Sequence, residues 1–244
     1  MRFGRSRRGT DGLVENLDDD GTQEEALRVL RSNLQVVLSD LHNPTVLVTS
    51  CYAREGKTST CVPLALSMAA AGTRVVLVDL DLRHPDAHRL ISRPNDVGVA
   101  DVLLGRSSLE EALQFVETGD RAGLYFLPAG SWEQSPAELL GRDRTAVMME
   151  RLAEQADIVL VDTPPVLPVA DTLVVGRFAA GALLIVEARR TPVPAVLRAK
   201  TLLTRNQTRI LGLVLNKMRA RDAAFTYGYE FQYGYSGNES QNGK

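Results

Sequence analysis

Residues 45–60 read TVLVTSCYAREGKTST, and the order of residue types in this stretch decides the fold. Thr45 to Ser50 has the β-branched, apolar composition of a strand buried on both faces. Gly56-Lys57-Thr58 then opens a helical stretch that runs to Ala71. A loop between a parallel strand and a helix is where α/β sheets hold phosphate. Backbone N–H groups surround the phosphate oxygens at the helix N-terminus, a lysine reaches the β- and γ-phosphates, and the next hydroxyl ligates Mg²⁺. The usual pattern is G-x-x-x-x-G-K-[ST], and Cys51 stands at its first glycine. The stretch therefore nominates Arg54, Glu55, Gly56, Lys57, Thr58 and Ser59 for the nucleotide. A thiol in such a loop, near a helix N-terminus, is expected to have a lowered pKa and to react with oxidants.

Outward from this loop, short apolar runs alternate with helical segments: RVVLVDL, LYFLP, DIVLVD, ALLIVEA and RILGLVLN, with helices between them and a variable middle. That alternation predicts an α/β fold with a mostly parallel sheet flanked by helices on both faces. Three carboxylates stand at the ends of predicted strands. Asp79 and Asp81 close VVLVDLDLRHP two residues apart, and Asp162 ends DIVLVDTPP. Open α/β sheets bind ligands at strand C-terminal ends, so these acids are candidates for holding a cation or accepting a proton from a hydroxyl nucleophile. Asn216-Lys217 ends the last strand where guanine-binding proteins carry N-K-x-D, but Arg219 replaces the aspartate, which favours adenine. Asn216 is either a base contact or a turn residue.

Upstream, TQEEALRVLRSNLQVVLSDL predicts an amphipathic helix opened by a Thr22–Glu25 capping box. The expected organisation is a flexible arm over residues 1–21, a catalytic domain over 22–221 and a flexible tyrosine-rich tail over 222–244. With 28 Lys and Arg against 30 Asp and Glu, the net charge of −2 gives no reason to expect nucleic acid as a partner. Charged residues break every apolar run short of a membrane span, and the Arg-rich start lacks the apolar core of a signal peptide. Two cysteines form neither a metal motif nor a disulfide framework, so a cytoplasmic location is expected.

The motifs together resemble the cytoplasmic catalytic domain of bacterial tyrosine autokinases, the deviant P-loop NTPases of capsule and exopolysaccharide synthesis. EALRVLRSNLQ is similar to their Glu-x-x-Arg-x-x-Arg helix, REGKTST to their Walker A motif, VDLDLRHP to their second acidic motif, LPAGSWEQSPAELL to their middle segment and VDTPPVLPVAD to their Walker B motif. Four of the six tyrosines, Tyr227, Tyr229, Tyr233 and Tyr235, cluster near the end, as in that family. The resemblance implies ATP and Mg²⁺ as cofactors, with Lys57 and Thr58 on the nucleotide and Asp79 or Asp81 activating a tyrosine hydroxyl. Asp162 would complete a metal site with Thr58 and Asp81. It further implies a homo-oligomer with contacts through Glu25, Arg28 and Arg31, phosphorylation of the tail tyrosines of neighbouring subunits, and a membrane-embedded activator or polysaccharide co-polymerase that holds the chain at the inner face of the plasma membrane. A non-kinase ATPase switch and an attenuated regulator are the alternatives. Two departures carry expectations of their own. Ala53-Arg54 replaces the family's Pro-Gly, so Arg54 could contact phosphate if its φ is negative, and Pro63 should kink the helix after the loop.

Overall fold

A computed structural model describes residues 21–118, 123–132 and 135–218. Residues 1–20 of the arm, the tail and its four clustered tyrosines lie outside these residues, as does the Thr22 side chain of the capping box. The amphipathic helix forms as α1 (Gly21–Leu38), so Thr22, expected to cap it, lies within its first turn. It is followed by β1 (Thr45–Ser50), α2 (Lys57–Ala70), β2 (Val75–Asp79), α3 (Ala87–Ile91), α4 (Val99–Leu104), α5 (Leu109–Ala112), β3 (Gln114–Glu117) and β4 (Gly123–Leu127). The second half contains α6 (Pro136–Leu140), α7 (Asp143–Gln155), β5 (Ile158–Asp162), α8 (Asp171–Gly176), β6 (Gly181–Glu187), α9 (Val193–Arg205) and β7 (Ile210–Asn216).

The seven strands form one sheet in the order β3-β4-β2-β5-β1-β6-β7. Every pairing is parallel except β3 with β4, an antiparallel edge that the polar run QFVE did not announce. The strands read as continuous apolar runs because both faces are covered. Val46 and Val48 of β1 pack with α2 and α1 through Leu64, Met68, Leu34 and Leu38, while Leu47 between them packs towards α4, α6 and α7. The period of two in a strand thus divides one sequence run between two cores.

Arg31 reaches from α1 to α2, donating to Ser67 O (2.9 Å) and Ser67 Oγ (3.2 Å). Pro63 does not end α2, which remains one helix from Lys57 to Ala70. Pro63 is half-buried there, between the core residues Val62 and Leu64.

Candidate active site

The strand order places the C-terminal ends of β2, β5 and β1 side by side, with Asp79 in register with Asp162 and Asp162 in register with Val48. The loop after β1 then enters α2 through Gly56, whose φ of 99° lies in the left-handed region. A Cβ on Gly56 would fall 1.9 Å from Asn216 Nδ2, so both backbone and space require glycine here. Four of the nominated side chains meet at this helix start. Lys57 Nζ lies 3.1 Å from Asp81 Oδ2, and both side chains are buried. Thr58 Oγ1 donates to Asp162 Oδ2 at 2.6 Å.

The third acid has a different task. Asp79 accepts the backbone N–H groups of Asp81 (3.1 Å) and Ala87 (3.2 Å), so it ties down the turn that carries Asp81. Burial, then the Asp162 and Asp81 charges, push its pKa well above the usual carboxylate value. Burial likewise lifts Asp162 from 3.8 to about 7, against the lowering pull of Lys57 and of the Thr58 hydrogen bond. Asp162 Oδ1 is buried without a hydrogen-bond partner. Such an oxygen beside a threonine hydroxyl suits a hard cation that takes one or two carboxylates and completes its shell with phosphate and water, so these residues fit Mg²⁺. Among the described residues no three His, Cys, Asp or Glu side chains form a ready-made cation cage.

A brace holds the loop from the β6–β7 side. Glu55 is buried, and its carboxylate accepts the Tyr52 N–H (3.0 Å) and the Thr191 hydroxyl. Asn216 Nδ2 donates to Glu55 O (3.0 Å), while Lys217 Nζ reaches Arg54 O and the Glu187 carboxylate. The side chains of Glu55 and Asn216 therefore shape the loop. Arg54 has a φ of 65°, so the condition set for its phosphate contact is not met, and a left-handed arginine stands where the related pattern has glycine. Ser59 is exposed on the first turn of α2, with Oγ donating to Gly56 O (3.2 Å). The reactive-thiol expectation for Cys51 fails. Its side chain is fully buried, and burial with the Glu55 charge pushes the pKa up to about 11.

Sequence reading missed Thr191 and Glu187 of the brace and placed Lys217 only in a base-reading pattern, for nothing local marks residues that fold back from so far along the chain. It also missed Arg83, whose Nε and Nη2 bind Asp171 at 2.7 and 3.0 Å. Both lie inside quoted motifs, and this pair ties the loop after β2 to the start of α8. On α1, Arg28 pairs with Glu24 (2.6 Å) and Glu25 (3.5 Å) on an exposed face, whereas Arg31 is engaged with α2.

The match to known proteins covers the same elements. A family model described as an AAA domain matches residues 54–189. The chain is 32% identical to the tyrosine-protein kinase YwqD of Bacillus subtilis, over 99% of each chain. It is 33% identical to the putative tyrosine-protein kinase EpsB of Ralstonia solanacearum, over 95% of this chain and 31% of that one. Among solved structures, the kinase domain of the Escherichia coli tyrosine kinase ETK superposes with a TM-score of 0.81 at 28% identity, over 100% of this chain and 89% of that one. The chimerical protein CapA2B2 gives 0.77 at 27% identity, over 86% and 92%. The cell-division ATPase MinD of Pyrococcus furiosus, at 22% identity and 0.61 over 76% and 80%, shares the fold.

Proposed function

The chain belongs to the P-loop family of bacterial tyrosine-protein kinases, and from that premise we propose that it transfers the γ-phosphoryl group of ATP to the tail tyrosines Tyr227, Tyr229, Tyr233 and Tyr235 of neighbouring subunits. The observation that supports this reading most is the meeting of Lys57, Thr58, Asp81 and Asp162 at one helix N-terminus. Lys57 turns from Asp81 to the phosphates when nucleotide enters, which leaves Asp81 free to take the proton of an incoming tyrosine hydroxyl. That oxygen attacks the γ-phosphorus in line, the bond to the β–γ bridging oxygen breaks, and ADP leaves. Thr58 and Asp162 would hold Mg²⁺, which would supply neutralisation of the phosphate charge. Asp79 acts as a positioning residue through its two backbone bonds to the Asp81 turn.

In the cell the same reading assigns the chain to capsule or exopolysaccharide production, docked by a membrane-embedded partner. Among the described residues no helix is long and apolar enough to cross a membrane. Glu25 and Arg28 remain available on the exposed face of α1 for contact between subunits. The test is a mixture of a Lys57→Met chain with a chain whose four tail tyrosines are Phe, supplied with γ-labelled ATP and Mg²⁺. Label should appear on the Lys57→Met chain alone. An unlabelled mixture, with wild type labelled in parallel, refutes transfer between subunits.

A further inference from the structure

The sheet has two edges, and they are finished differently. At β3, Arg93 Nη2 donates to Phe115 O and Gln114 Nε2 to Pro94 O, both at 3.0 Å, so residues 93–94 run along that edge. β7 pairs with β6 on its inner side, and among the described residues no backbone hydrogen bond leaves its outer side. β7 is seven residues long, and Leu213 and Leu215 on it are 52% and 49% exposed. Their register partners Leu184 and Val186 place both leucines on the sheet face that α9 covers further in. A long apolar edge with open backbone groups is a template for one more strand.

The chain leaves the sheet at this edge. Lys217, immediately after β7, has a left-handed φ of 56°, which redirects the backbone there. In the sequence beyond, every second residue from 225 to 235 is aromatic: Phe225, Tyr227, Tyr229, Phe231, Tyr233 and Tyr235, with polar residues or glycine between them. A period of two is the repeat of a strand, in which alternate residues share one face. Phe225 and Phe231 have no hydroxyl to accept a phosphoryl group. A set of acceptors does not need them, whereas an apolar face does.

We propose that residues 225–235 turn back and add to the open edge of β7 of the same chain as an antiparallel strand, laying their aromatic face over Leu213 and Leu215. Main-chain hydrogen bonds to the edge supply the attachment, and ring packing on the two leucines sets the register. Residues 217–224 make the reversal, a connection longer than the tightest hairpin loops require. That short tether gives the chain's own tail a high effective concentration over a second copy or a neighbour's tail. The docking involves no phosphoryl transfer, so its test runs without nucleotide and its failure leaves the kinase reading standing.

The full chain, treated with phosphatase, is compared with a Phe225→Ser, Phe231→Ser variant that keeps all four tail tyrosines and every described residue. Amide hydrogen exchange in β7 and chymotryptic cleavage of the tail are followed at two protein concentrations. The wild-type chain should exchange and be cleaved about tenfold more slowly than the variant, at both concentrations alike. Equal rates in the two chains overturn the proposal. Protection that grows with concentration also overturns it, and assigns the edge to a second copy.

Discussion

Replacing Arg83 with Met should lower the melting temperature of the nucleotide-free chain by about 4–12 °C. The guanidinium holds both oxygens of Asp171, and that carboxylate is fully buried while the arginine side chain is 35% exposed. Removing one partner of a buried pair costs roughly 3–5 kcal/mol, because the other charge is left without compensation. Two features reduce that figure here: the arginine is partly solvated, and Asp171 lies in the first turn of α8, where the helix dipole favours an anion. A loss of about 2–3 kcal/mol remains, and in a domain of this size each kcal/mol moves the midpoint by about 2–4 °C. Differential scanning calorimetry of wild type, Arg83→Met, Asp171→Asn and the double variant closes a cycle. The double variant should melt well above the sum of the single losses, since the neutral amide no longer needs the guanidinium. A single variant that melts within about a degree of wild type, or strict additivity in the cycle, would show that this pair does not hold the loop after β2 to α8.

Lys57→Met should remove the thermal shift given by ATP with Mg²⁺ along with all tyrosine labelling, and a retained shift would take the loop out of nucleotide binding. Asp79 and Asp162 have raised folded pKa values, Asp162 up to about 7, so the folded chain binds their protons more tightly than the unfolded chain. Stability without nucleotide should therefore fall as pH rises from about 4 through about 7, and Asp162→Asn should flatten that slope while weakening the Mg²⁺-dependent shift; an unchanged slope in the variant counts against the assignment. Gly56→Ala should weaken nucleotide binding at least about tenfold, measured by calorimetric titration, because its Cβ would displace Asn216 and its backbone is left-handed. Cys51 should resist iodoacetamide at pH 8 with or without ATP, since its thiol is buried and titrates at about 11; labelling at the rate of a free thiol would contradict that.

The parts of this architecture that could be read in advance share a physical property: the signal is local. β1, β2, β5 and β6 are buried on both faces and therefore announce themselves as unbroken apolar runs, and Asp79 and Asp162 mark where two of those strands end. β3 escaped because an antiparallel edge strand can be polar, as Gln114 and Glu117 are. Asn216 could be placed at a strand end by its neighbours, but its target, the Glu55 carbonyl, depends on tertiary folding. The Cys51 thiol was misread for the same reason, since proximity to a helix N-terminus is visible in sequence and full burial is not. Whether Arg31 faces another subunit or Ser67 was equally hidden in a spacing that describes one helix.

The brace on the phosphate loop has a consequence for how the protein is made. Glu55 bonds Thr191 and Asn216, partners 136 and 161 residues further along. A ribosome adding about 5–20 residues per second supplies Asn216 roughly 8–30 s after it has supplied Glu55. Through that interval the nascent chain already contains Gly56-Lys57-Thr58 but lacks the side chains that give the loop its shape. ATP capture should begin when the last strand leaves the exit tunnel, so that fragments released early are barred from the nucleotide pool.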